Sequence, residues 1–108
     1  MATARRTAIE RDPVKLDHRH YKVELETELF RIIRVTYGPN EKSPMHEHPP
    51  CVAVMLTDAN FRNTYPDGSI DEFEKKAGEF IVADHPWEHE QENMSGKSFE
   101  TLLIELKR

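Results

Sequence analysis

The stretch NEKSPMHEHPPCVAVML, residues 40–56, decides how this chain is read. Within it His46 and His48 flank a single residue, Glu47. On a β-strand, residues i and i+2 project from one face, roughly 6.5–7 Å apart at Cα. Two imidazoles so placed can converge on one metal ion, at about 2.0–2.1 Å from each nitrogen. A bare pair of this kind is common without any metal, so its setting matters. Pro44 precedes the pair and Pro49-Pro50 follow it, stiffening the backbone and fixing the directions of both rings. Cys51–Leu56 then forms a continuous apolar run of strand length, which places the pair at the entrance to a buried strand.

On either side the chain breaks into short runs bounded by Gly, Pro, Asn and Asp. Tyr21, Val23 and Leu25 alternate with Lys22, Glu24 and Glu26, and residues 30–37 are rich in β-branched and aromatic side chains before Gly38-Pro39-Asn40. Residues 61–65 alternate again and end at Pro66-Asp67-Gly68, a hairpin turn in which Gly supplies positive φ. Ile70 and Phe73 belong to a further strand, although a short helix over 71–76 also fits. Ala77-Gly78 is a turn, and residues 80–82 and 99–106 read as strands. Turn signals every 8–12 residues and no 3.6-residue stripe predict an all-β sandwich or barrel. Met55, Phe61, Tyr65 and Phe80 are expected in its core.

Composition narrows the setting. The 108 residues, 37% hydrophobic and 32% charged, make one domain. We take residues 1–11, with Arg5, Arg6 and Arg11, as a flexible arm and residues 12–108 as the folded part. A net charge of −5 argues against binding nucleic acid or an anionic membrane, and no apolar run approaches a span or a signal peptide. A single cysteine, Cys51, excludes an internal disulfide and a thiolate zinc site, so a reducing cytoplasm is expected. The six histidines fall in three close pairs: His18/His20, His46/His48 and His85/His89.

The later stretch GEFIVADHPWEHEQEN, residues 78–93, brings a possible third ligand. Together the two stretches resemble the motifs of the cupin superfamily, small jelly-roll (double-stranded β-helix) domains. In the first motif a glycine, five residues and His-x-His are followed by a Glu. Here Asn40 takes the glycine place, tolerating a left-handed backbone, and His46 and His48 are the pair. The second motif resembles residues 78–93 in spacing, with Gly78, His89 and Asn93 in its glycine, histidine and asparagine places; Asp84 and Pro86 depart from its central Pro and Gly. The resemblance covers roughly residues 20–106 and implies an all-β, single-domain cupin-type jelly roll.

It also implies three metal ligands, His46, His48 and His89. The motif glutamate is absent, since positions 52 and 53 are Val52 and Ala53. His85 is the rival to His89, or a neighbour that orients a ligand or substrate. Trp87 walls the pocket or covers the barrel mouth. Cys51 reads as a buried thiol near the site, because its spacing fails to match the cysteine that cross-links to tyrosine in some thiol dioxygenases. His18 and His20 lie outside both motifs and read as exposed or interface histidines rather than a second metal site. Arg31, Arg34 and Arg62 would bind a substrate carboxylate only if one pointed inward; outward positions are expected.

All-histidine sites of this sort resemble those of thiol and diketone-cleaving dioxygenases. The resemblance therefore implies one divalent ion, Fe2+ before Zn2+, Ni2+ or Mn2+, and a non-haem dioxygenase acting on a small anionic organic molecule. A metal-dependent isomerase or lyase on a sugar or keto acid is the alternative, and a non-catalytic metal-stabilised binding protein a third. A homodimer is expected, formed through sheet edges and exchange of the N-terminal segment.

Overall fold

A computed structural model describes residues 11–107, so the expected arm lies outside the described residues except for Arg11. Order begins there. The Arg11 carbonyl accepts from the Glu47 N–H at 2.9 Å, and its guanidinium pairs with Glu88 at 2.7 Å. A single helical turn, α1 (Pro13–Leu16), follows. Asp12 caps it by accepting the Val14 N–H at 3.0 Å, and Pro13 occupies the first turn, where a missing N–H costs nothing.

Nine strands come next: β1 (Tyr21–Glu26), β2 (Phe30–Tyr37), β3 (His46–His48), β4 (Cys51–Met55), β5 (Ala59–Thr64), β6 (Ile70–Lys75), β7 (Phe80–Ala83), β8 (Trp87–Asn93) and β9 (Phe99–Leu106). They form a five-stranded sheet in the order β1-β2-β9-β4-β7 and a four-stranded sheet in the order β3-β8-β5-β6, all paired antiparallel. Two such sheets face to face make the expected jelly roll.

Two turns behave as their residues require. Asn40 sits at φ 60°, in the left-handed region where its short side chain is tolerated, and Gly78 at φ 90° turns the chain into β7. Residues 71–75 are strand rather than helix: β6 pairs residue by residue with β5 from Thr64↔Ile70 to Ala59↔Lys75.

Burial alternates along β4, β5 and β9, so that Cys51, Ala53, Met55, Phe61, Phe99 and Leu103 fill the barrel with Tyr21, Ile33, Val35 and Tyr37. Phe80 corrects the expected core. It lies on edge strand β7 with its side chain outward, 62% exposed, while Ile81 faces the interior. Tyr65 stands half-buried at the rim, its hydroxyl donating to Asp71 at 2.8 Å. On the outer face of the five-stranded sheet, register lines up Leu25, Ile32, Ile104, Val52 and Val82 in one apolar row across every strand.

Candidate metal centre

Pairing of β3 with β8 assembles the centre. Its register sets His46 opposite His89 and His48 opposite Trp87, so three imidazoles separated by up to 43 positions in sequence share one inward face. Their ring centroids lie 4.8–5.2 Å apart, and one nitrogen from each falls within 4.8 Å of the others. All three are buried. Among the described residues this is the one group of histidine, cysteine or acidic side chains gathered closely enough for an ion.

Hydrogen bonds determine which nitrogen faces inward. His46 Nδ1 lies 2.8 Å from the Pro44 carbonyl, so it carries the proton and donates, leaving Nε2 as the lone-pair nitrogen. His48 Nδ1 lies 2.8 Å from Glu105 Oε2, which fixes the same tautomer. His89 differs: neither of its ring nitrogens has a partner, although the residue is 1% exposed. A buried polar atom without a hydrogen bond costs about 1–3 kcal/mol, so such an orphan calls for a reason. Coordination of a cation by three neutral imidazoles supplies one.

Electrostatics agree. Burial, then His48, pushes His46 down to about 3. Burial, then His48 and His46, holds His89 well below its ordinary value. Both rings are therefore neutral near pH 7, the form that binds a metal.

Around this set stands a polar frame that reading strand by strand missed. Glu105, 2% exposed, bonds His48 with one carboxylate oxygen and Arg31 with the other, at 2.8 Å. Arg31 is inward rather than solvated, and it forks onto Asp12 at 3.0 and 3.1 Å, tying α1 to the barrel. The signal was parity: Glu105 shares a face with Phe99 and Leu103, and Arg31 with Ile33 and Val35. On the other flank the Tyr21 hydroxyl lies 3.2 Å from His46 Nε2 and 2.6 Å from the Tyr37 hydroxyl. Burial raises both phenols, so both stay protonated. Arg34 and Arg62 keep the expected outward positions, paired with Glu24 and Glu72.

Other candidates separate from the ligand set. His85 is exposed, its Nδ1 donating to the Pro86 carbonyl at 2.9 Å, and it stays outside the cluster. Asn93 ties loops instead: its amide donates to the Gly38 and Lys97 carbonyls at 2.9 and 2.7 Å. Cys51 is buried, and burial followed by the Glu105 charge pushes its thiol up to about 12, so it stays an inert neutral group. Trp87 does wall the site, its ring meeting His89 edge-on at 4.6 Å. His18 is exposed as expected, but His20 is buried. Asp17 and Glu41 face its two ring nitrogens at 2.7 and 3.0 Å, and Tyr37 stacks on it at 4.2 Å.

His48 and His89 line a cavity of about 30 Å³ together with Met55, Phe61 and Leu103. No helix among the described residues is long and apolar enough to cross a membrane.

No family model matches the sequence, and no curated protein does. Solved structures do match. A cupin domain from Bordetella pertussis Tohama I superposes with TM-score 0.75 at 19% identity, covering 98% of this chain and 100% of that one. A double-stranded β-helix protein from Klebsiella pneumoniae gives 0.66 at 16%, covering 98% and 83%. The polyketide cyclase RemF from Streptomyces resistomycificus gives 0.61 at 17%, covering 100% and 80%. With its two antiparallel sheets closed around inward histidines, this chain has the cupin fold.

Proposed function

We propose that the chain is a small metal-dependent enzyme of mononuclear non-haem dioxygenase type. One divalent ion, Fe2+, would be held by His46, His48 and His89. The observation that carries this reading is His89: a fully buried imidazole with both nitrogens unpartnered, beside two imidazoles whose Nδ1 atoms are already committed. An ion ligated by three neutral imidazoles keeps its full 2+ charge, and Fe2+ in such a set supplies open positions for an anionic donor and for dioxygen.

The protein's own contributions can be named. Pro44 and Glu105 hold the tautomers of His46 and His48. Tyr21, anchored by Tyr37, keeps a protonated phenol 3.2 Å from His46 Nε2, a hydrogen-bond donor at the edge of the residues that would hold the ion. The apolar cavity excludes bulk water. The free thiol Cys51 and a ferrous ion both suit a reducing cytoplasm.

Purification without added metal, metal analysis, and oxygen uptake with Fe2+ against diketones, thiols and phenolic ketones test the reading. Bound iron with substrate-dependent oxygen consumption supports it; turnover indifferent to oxygen overturns it. That second outcome would favour Lewis-acid chemistry on Zn2+, Ni2+ or Mn2+, a reading to which full-length likeness to a polyketide cyclase lends support. An empty centre with no turnover would leave a binding protein.

We also propose a homodimer. The apolar row Leu25, Ile32, Ile104, Val52 and Val82 on the outer sheet face supports it, as an apolar patch that a second copy would cover. Light scattering should give twice the chain mass at micromolar concentration, and Val52→Glu should give monomers. A wild-type monomer overturns the proposal.

A further inference from the structure

The histidine cavity, at about 30 Å³, holds little more than a water-sized molecule. An organic substrate must therefore lodge most of its bulk elsewhere. A second, open hollow of about 560 Å³ lies between the edge strands β6 and β7. Trp87 and Ile81 stand in the walls of both spaces, so these two side chains alone are common to cavity and groove. The groove has the volume of a small-molecule site and walls that are mainly aromatic or apolar, among them Tyr65, Phe73 and Trp87. Phe73 meets Trp87 edge-on at 6.3 Å, and Trp87 meets His89 at 4.6 Å, a continuous aromatic path from groove to ligand.

The charged groups lining it decide the kind of guest. Asp71 already accepts from Tyr65 at 2.8 Å, and Glu88 pairs with Arg11 at 2.7 Å. Among the described residues no lysine or arginine lines the groove, and its one basic group, His85, has its Nδ1 tied to the Pro86 carbonyl, so two carboxylates set its charge. Negative charge is best met at the end of the three clustered histidines.

Resting on the metal reading above, we infer that the β6–β7 groove is the substrate-body subsite. It receives an uncharged aromatic ring whose single anionic donor group passes Trp87 and Ile81 to reach the ion. Trp87 acts as a positioning residue, swinging between rotamers to join the two spaces.

Two hydroxamates with the same chelating head test this on the metal-loaded protein. Benzohydroxamate carries a ring for the groove and acetohydroxamate carries only a methyl group. Trp87 is the sole tryptophan of the chain, so its fluorescence reports binding directly. Benzohydroxamate should bind at least tenfold tighter and shift Trp87 emission. Phe73→Ala should remove most of that preference while leaving acetohydroxamate binding within twofold. Tyr65→Ala, at the half-buried rim of the groove, should do the same without touching the buried core. Equal affinity for the two hydroxamates, or a preference untouched by both variants, overturns the subsite and leaves the metal reading standing. A protein that retains no metal and binds neither hydroxamate overturns both.

Discussion

Two buried histidine environments share this barrel and answer the same physical problem in opposite ways. His20, at the α1 end, has a carboxylate facing each ring nitrogen and a tyrosine stacked on its face. His89, on β8, has no hydrogen-bond partner for either nitrogen. A buried imidazole with every nitrogen answered holds the fold together. One with none answered weakens the empty protein and fits the fold for a ligand. Tyr37 links the two regions, stacking on His20 and bonding Tyr21, which reaches His46.

The same substitution at the two sites should therefore give opposite results. His89→Leu should abolish metal binding, a loss well beyond the roughly 100-fold typical of altering an outer partner. Its metal-free form should be at least as stable as the wild type, because an unpartnered polar group is replaced by an apolar one of similar size. Calorimetric titration with Zn2+ and denaturant unfolding read the two effects. A His89→Leu protein that still binds metal would erase the contrast.

His20→Leu should do the reverse. It leaves Asp17 buried without its partner, a break that costs about 3 kcal/mol, and metal affinity should stay within a few-fold. Urea unfolding checks the first figure. A stable variant with weakened metal binding would show that the His20–Tyr37 contact serves the centre.

Glu105→Gln sharpens the line between holding a ligand and being one. The amide still bonds His48 but loses the charge that raises imidazole basicity and pairs with Arg31. Metal affinity should fall about 10- to 100-fold with the ligand set intact.

The most gradual effect is on pH. His46 titrates near 3 when folded against an ordinary 6.5, and His89 shifts in the same direction. Between those values the unfolded chain binds protons that the folded one refuses. Stability of the metal-free protein is thus complete above pH 6.5 and declines as pH falls toward 3, by about 1.4 kcal/mol per unit for each such imidazole. The pH dependence of unfolding should flatten in His89→Leu and keep its remaining slope from His46. An unchanged profile would mean that His89 is not held neutral by burial.

Much of this was legible one strand at a time. Residues 21–26, 30–37 and 99–106 alternate or run apolar strongly enough to give their strands, and the His46/His48 pair announces itself by its two-residue spacing. β8 was not legible as a strand, because its inward positions are His89, Gln91 and Asn93, and a polar interior face leaves no hydrophobic period. Phe80 misled for the opposite reason. A phenylalanine beside a turn reads as core, yet an edge strand can aim it outward.

The sequence by itself determined an acidic all-β domain, its turns at Asn40 and Gly78, and a histidine pair aimed to one side. Such features depend on residues a few positions apart, where backbone geometry alone dictates which side chains share a face. Only the tertiary structure decided that His85 stands exposed outside the cluster, that Glu105 reaches His48 across 57 residues, and that His20 is buried between carboxylates. Those pairings come from strand register and sheet order, which bring distant segments together and leave no mark in local spacing.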